Sequence, residues 1–125
     1  MQKHILAIDD EPEILQLLQQ ALAFHGYRVS TAASAEAARR ILKADPPQLI
    51  ICDLQLEDTD GIEFAAEIRD ALPEVPILLL TGMVFSHDVV RETIQKKFTS
   101  YLDKTTPLNE IVAEVSRLLG DPRPA

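Results

Sequence analysis

The chain is expected to fold as one doubly wound α/β domain on a parallel sheet. Three observations predict this: short, wholly apolar runs, helical stripes that alternate with them, and a length of 125 residues that suits a single core. Residues 5–8 (ILAI), 49–52 (LIIC) and 77–80 (ILLL) are too short for helices and show no polar alternation, as expected of strands buried on both faces. Ile14, Leu18 and Leu22 recur at helical spacing, and Leu108, Ile111, Val112, Val115, Leu118 and Leu119 form a second such stripe. Thr106 followed by Pro107 predicts the start of that last helix, with proline at its first position, and Gly120 predicts its stop. The same reading places helices over about 34–44, 61–71 and 86–97. Residues 27–31 (YRVST) and 99–103 (TSYLD) carry polar residues and predict two further strands nearer the sheet edges. Strand then helix, five times over, requires right-handed crossovers with helices on both faces. The domain is expected over 1–120, and the Pro-rich 121–125 (DPRPA) reads as a disordered end or a linker stub.

Composition narrows the function. Twelve basic against 20 acidic residues leave a formal net charge of −8, which disfavours a nucleic-acid surface and an anionic membrane. The single cysteine, Cys52, has no internal partner, so a reducing, cytoplasmic setting is expected. The opening MQKHILAIDDEPE reaches acids too soon for a signal peptide or a membrane span.

In open α/β sheets the ligand site lies beyond the carboxyl ends of the strands, so the residues that close each apolar run carry the information. These are Asp9, Asp10 and Glu11 after the first run, Asp53 after the third, Thr81 and Gly82 after the fourth, and Asp103 with Lys104 after the fifth. Gathered carboxylates repel one another unless a cation shares the site, and hard oxygen donors suit Mg²⁺. Lys104 adds a positive charge and Thr81 a hydroxyl, both suited to phosphoryl oxygens. A carboxylate nucleophile, a divalent metal and a lysine together describe phosphoryl transfer onto aspartate. Taken singly, an acidic pair after a strand is a solvated turn, and a lone Lys or Thr is a surface residue or a cap. Their convergence on one rim is what favours chemistry.

Competing motifs fail. Neither G-x-x-x-x-G-K-[ST] nor G-x-G-x-x-G is present, and Asp9-Asp10-Glu11-Pro12 would repel the phosphate of a flavin nucleotide. Asp58, Asp60, Gly61 and Glu67 match part of an EF-hand loop, but its first ligand position is Leu56. His4, His25 and His87 show no ligand spacing. Cys52 and the aromatic residues Phe24, Phe64 and Phe85 read as packing residues.

Four motifs in register, the Asp9-Asp10 pair, D-L-Q-L-E-D-T-D-G over 53–61, L-T-G at 80–82 and Y-L-D-K at 101–104, resemble the response-regulator receiver domain of two-component signalling. The resemblance covers residue 3 to about 119. It implies a flavodoxin-like five-stranded sheet of order 2-1-3-4-5 and a signalling domain rather than a turnover enzyme. It further implies that Asp53 accepts the phosphoryl group, from a histidine kinase or a histidine phosphotransfer protein. Asp10 would bind Mg²⁺ directly, Asp9 through water, and the Gln55 main-chain carbonyl would complete the shell with Asp53. Thr81 and Lys104 would meet the phosphoryl group, and Thr81 with Tyr101 would form the switch. That switch would act on a downstream protein partner or a covalently linked output domain, through the face made by the 86–97 helix, the 99–103 strand and the last helix.

Four residues depart from the family pattern. Glu57 replaces a proline in the loop over the site, adding charge and mobility there. Thr105 replaces the proline after Lys104, so a trans Lys104–Thr105 bond is expected, because cis costs about 2.5–4 kcal/mol before a non-proline residue. Lys97 and Phe98 replace a small pair, and Phe98 either packs inward or leaves an apolar contact outside. None removes a chemical group from the site. Two rival readings are a degenerate receiver that only docks partners, and a metal-dependent phosphatase with an aspartyl intermediate. The first would lack an acid, Thr or Lys of the set, and the second would want an acid where Gln55 stands.

Overall fold

A computed structural model describes residues 2–82, 92 and 98–121. The helix expected over 86–97 lies outside the described residues, apart from Glu92, as do Phe85, His87, Lys97 and positions 122–125. In chain order the elements are β1 (His4–Ile8), α1 (Pro12–Phe24), β2 (Arg28–Ala32), α2 (Ala35–Ala44), β3 (Leu49–Cys52), α3 (Gly61–Ala71), β4 (Ile77–Thr81), β5 (Ser100–Asp103) and a C-terminal helix, α4 (Leu108–Leu118). The five strands form one parallel sheet in the order β2-β1-β3-β4-β5, as the resemblance implied.

Strand periodicity divides the core into two layers. Leu6, Ile8, Ile50, Cys52, Ile77 and Leu79 face α2 and α3, where Ala38, Phe64, Ala65 and Ile68 cover them. Ile5, Ala7, Leu49, Ile51, Leu78 and Leu80 face the other way, onto Leu15, Leu18 and Leu22 of α1 and Ile111, Val112 and Val115 of α4. Burial on both faces is why the central strands read as unbroken apolar runs. Each such side chain contributes about 1.5–3 kcal/mol of transfer free energy. Cys52 is fully buried, and burial pushes its thiol pKa well up, so it is a packing residue. Phe98 packs inward against the α2–α3 side of the sheet, which settles its two readings. Phe64 is core, whereas Phe24 lies largely exposed.

Helix ends follow local chemistry. The Ser34 hydroxyl caps α2 by accepting from Ala37 N–H at 3.1 Å, and the Asp60 carboxylate caps α3 by accepting from Ile62 N–H at 2.7 Å. Pro107 is the residue before α4 rather than its first helical position, a shift of one residue from the sequence expectation. Gly120 ends that helix in the left-handed region at φ 71°, with Asp121 N–H bonded to Ser116 C=O and Gly120 N–H to Arg117 C=O. Asp121, grouped with the tail by sequence, is held by Lys3 Nζ and by the Tyr27 hydroxyl. Among the described residues no helix is long and apolar enough to cross a membrane.

Gly61 explains the fixed spacing between Asp53 and glycine. Its N–H donates to Leu54 C=O at 2.8 Å, and a Cβ here would lie 2.5 Å from both the Asp53 oxygen and the Leu54 Cα. Backbone cannot yield as a flexible side chain can, so only glycine lets α3 start directly against the loop. Gly61→Ala is therefore expected to destabilise the domain by about 1–3 kcal/mol despite alanine's better helix propensity. The reading is a lowered urea midpoint at unchanged slope; a wild-type midpoint would refute the close approach.

Candidate phosphoryl and metal site

The site is built where β1, β3, β4 and β5 end. The ladder runs one residue past the strands: Asp9 N–H donates to Ala32 C=O at 3.1 Å and Asp53 N–H to Ile8 C=O at 3.2 Å. Lys104 N–H donates to Thr81 C=O at 3.0 Å. Parallel pairing thereby sets the backbones of Asp9, Asp53, Thr81 and Lys104 side by side, although up to 95 residues separate them in sequence.

The side chains then converge. Donor oxygens of Asp9, Asp10 and Asp53 all lie within 4.8 Å of one another, and these acids form the one such group of three among the described residues. Asp9 is 2% exposed and Asp53 4%, while Asp10 is partly exposed. Lys104 Nζ reaches into the cluster, 2.9 Å from Asp53 Oδ2 and 3.0 Å from Asp9 Oδ2, and also binds the Glu11 carboxylate. Burial raises the pKa of Asp9 above its ordinary value, and the Asp53 charge adds to the rise. The Glu11 amide, 2.9 Å from Asp9 Oδ1, and the Lys104 ammonium oppose it. For Lys104, burial works against the ammonium, but its bonds to the Glu11, Asp53 and Asp9 carboxylates outweigh that and raise its pKa. One ammonium thus stands against several partly desolvated carboxylates, and oxygen donors so arranged fit a hard divalent cation such as Mg²⁺. Asp10, Glu11, Asp53, Gln55, Gly82 and Lys104 line an open cavity of about 410 Å³ there.

Two loops complete the site. In the β3–α3 loop, Leu54 and Leu56 are buried and an isolated bridge pairs Gln55 with Asp60. After β5 the Lys104–Thr105 bond is trans, as expected. Asp103 Oδ1 accepts from Thr105 N–H at 2.7 Å and from its hydroxyl at 2.8 Å, closing a side-chain turn around Lys104. Those bonds hold the Asp103 carboxyl below its usual pKa.

Of the residues singled out by sequence, Asp9, Asp10, Asp53, Gln55 and Lys104 come together, and Thr81 closes β4 beside them, 1% exposed. Tyr101 stands apart on β5 and is 44% exposed. Of the described histidines, His4 is buried with Nε2 2.7 Å from Ser30 Oγ and His25 lies at the C-terminus of α1, so these two form no cluster; His87 is outside the described residues. The contact of Glu11 with Lys104 was not legible in the sequence, because the partners are 93 residues apart. Nor was the role of Asp58, whose carboxylate accepts from the amides of Ala35 and Glu36.

Known proteins resemble this chain in sequence and in fold. The family model described as the response regulator receiver domain matches residues 5–116. Over 122 residues the chain is 34% identical to the transcriptional regulatory protein GlrR of Escherichia coli, covering 98% of this chain and 27% of that protein. It is 35% identical over 119 residues to the alkaline phosphatase synthesis transcriptional regulatory protein PhoP of Bacillus subtilis, covering 95% of this chain and 49% of that one. The chain therefore spans about a quarter to a half of these curated relatives. A CheY-like receiver domain from Methanospirillum hungatei superposes with a TM-score of 0.88 at 23% identity, over 96% of this chain and 95% of the other, a likeness of fold. The Vibrio cholerae chemotaxis protein CheY4 does so with a TM-score of 0.85 at 25% identity, over 94% and 99%. On its strand order, its acidic rim and the family match over most of its length, this chain belongs to the response-regulator receiver domains.

Proposed function

We propose that the domain accepts a phosphoryl group on Asp53 from a phosphohistidine of a partner kinase or phosphotransfer protein, and that this switches a partner-binding surface. The observation that carries the reading is Asp53 itself, almost wholly buried yet lining an open cavity, with Lys104 at 2.9 Å and two further acids beside it. An Asp53 carboxylate oxygen forms the bond to phosphorus as the donor's phosphorus–nitrogen bond breaks. The imidazole leaves with that electron pair and takes up a proton. Bound Mg²⁺, held by Asp9, Asp10, Asp53 and the Gln55 carbonyl, would supply charge neutralisation for the incoming oxygens. Lys104 has three N–H donors, all facing carboxylates now. Glu11 is the most exposed of those partners at 58%, so it is the one a phosphoryl oxygen displaces most readily. Thr81 contributes its hydroxyl from the end of β4.

The switch follows from neighbouring strands. Thr81 pairs with Asp103, and Tyr101 pairs with Leu79, so a shift at the end of β4 is passed to β5. In the proposed active state Thr81 turns to the phosphoryl group and the exposed Tyr101 moves inward, a two-state shift biased by the new charge. The downstream partner, a protein or a linked output domain, reads the face that includes Tyr101 and α4, and the domain itself does not touch nucleic acid. With Phe98 packed inward, Tyr101 rather than Phe98 is the aromatic residue that the described part of this face offers. The cytoplasm is the proposed setting.

Treatment with acetyl phosphate and Mg²⁺ is expected to add one phosphoryl group by mass spectrometry, and none without the metal or in Asp53→Asn. Equal labelling of that variant would defeat the assignment. Mg²⁺ affinity is expected to fall as pH drops through the Asp9 pKa, with the midpoint of the loss above the ordinary value of 3.8, because ionised Asp9 helps hold the metal. Calorimetric titration over a pH series checks this; a loss setting in only below that value would contradict it. Beryllofluoride is expected to shift amide signals from Asp53 through Thr81 to Tyr101. Shifts confined to the rim would favour a receiver that only docks.

A further inference from the structure

The β3–α3 loop is fastened at a point its own sequence does not explain. Asp58, near its apex, spans to the first turn of α2: Oδ1 accepts from Ala35 N–H and Oδ2 from Glu36 N–H, each at 3.0 Å. Ser34 Oγ takes the next amide, Ala37, so three of α2's otherwise unpaired N–H groups are satisfied, two of them by a residue 22 or more positions away. An exposed acid left to itself is solvated or pairs with a cation. This one spends both oxygens on backbone amides at the positive end of a helix, and those amides hold its carboxyl below the usual pKa.

We infer that Asp58 is a positioning residue for the metal and phosphoryl pocket, acting by tying the β3–α3 loop to α2 so that Gln55 keeps its place beside Asp53. The inference rests on the phospho-acceptor reading of the site. The loop is fixed at its two ends, where Asp53 N–H bonds Ile8 C=O and Gly61 N–H bonds Leu54 C=O. Between them Glu57 stands where a proline would stiffen the chain. Gln55 lines the cavity between buried Leu54 and Leu56, bridged to Asp60 and three residues from Asp58. The clamp supplies by tertiary contact the rigidity that residue 57 does not, and α2, which contributes no side chain to the cavity, becomes a support of the site.

Ser34→Ala separates this role from plain helix capping, since it uncaps the same helix without touching the loop. Four proteins are compared: wild type, Asp58→Ala, Asp58→Asn and Ser34→Ala. The readouts are Mg²⁺ affinity by calorimetry, urea midpoints, and amide shifts of Leu54–Asp60 without metal. Asp58→Ala is expected to bind Mg²⁺ about tenfold more weakly and to move the loop amides, with Asp58→Asn between it and wild type. Its acetyl phosphate labelling recovers at saturating Mg²⁺, because Asp53 and Lys104 are intact. Ser34→Ala loses urea stability and keeps wild-type Mg²⁺ affinity. Wild-type affinity in Asp58→Ala, or equal weakening in Ser34→Ala, overturns the positioning role alone. A wild-type domain that binds no Mg²⁺ overturns the phospho-acceptor reading and this inference with it.

Discussion

The Lys104 ammonium is the counter-charge on which the carboxyl edge of the sheet depends. Asp9 and Asp53 are held almost dry by the packing of β1 and β3, and ionised carboxylates in that position are costly unless paired. Lys104 touches both and reaches Glu11 as well, so a single cation ties together the ends of β1, β3 and β5. The compensation is incomplete, since burial still raises the Asp9 pKa above its ordinary value. Three carboxylates grouped so closely suit a hard divalent cation.

Rigidity around this point comes from backbone rather than from the acids themselves. Ladder bonds continue beyond β1 and β3 to the amides of Asp9 and Asp53, and Lys104 is bonded through its amide to Thr81. Gly61 lets α3 begin in contact with the peptide that follows Asp53, and buried Leu54 and Leu56 pin the loop between them from below. A frame of this kind fixes where the carboxylates converge.

Two of the departures from the family pattern meet a local replacement. Where Thr105 stands for proline, the Asp103 side chain closes the turn that carries Lys104. Where Phe98 stands for a small residue, it fills the α2–α3 side of the core rather than the surface. Both replacements use contacts available only once the sheet has formed.

The sequence by itself determined the parallel α/β class, the described strand and helix segments to within a residue or two, and the identity of the acids, hydroxyl and lysine at the strand ends. It could do so because apolar runs, helical stripes and caps are local signals, and because strands in such a sheet present their carboxyl ends to one rim. Tertiary structure alone decided that Glu11 shares Lys104, that Phe98 turns inward, and that Asp58 ends on the amides of Ala35 and Glu36. These outcomes rest on packing and on hydrogen bonds between groups far apart in the chain, and backbone amides carry no residue identity for a sequence pattern to record.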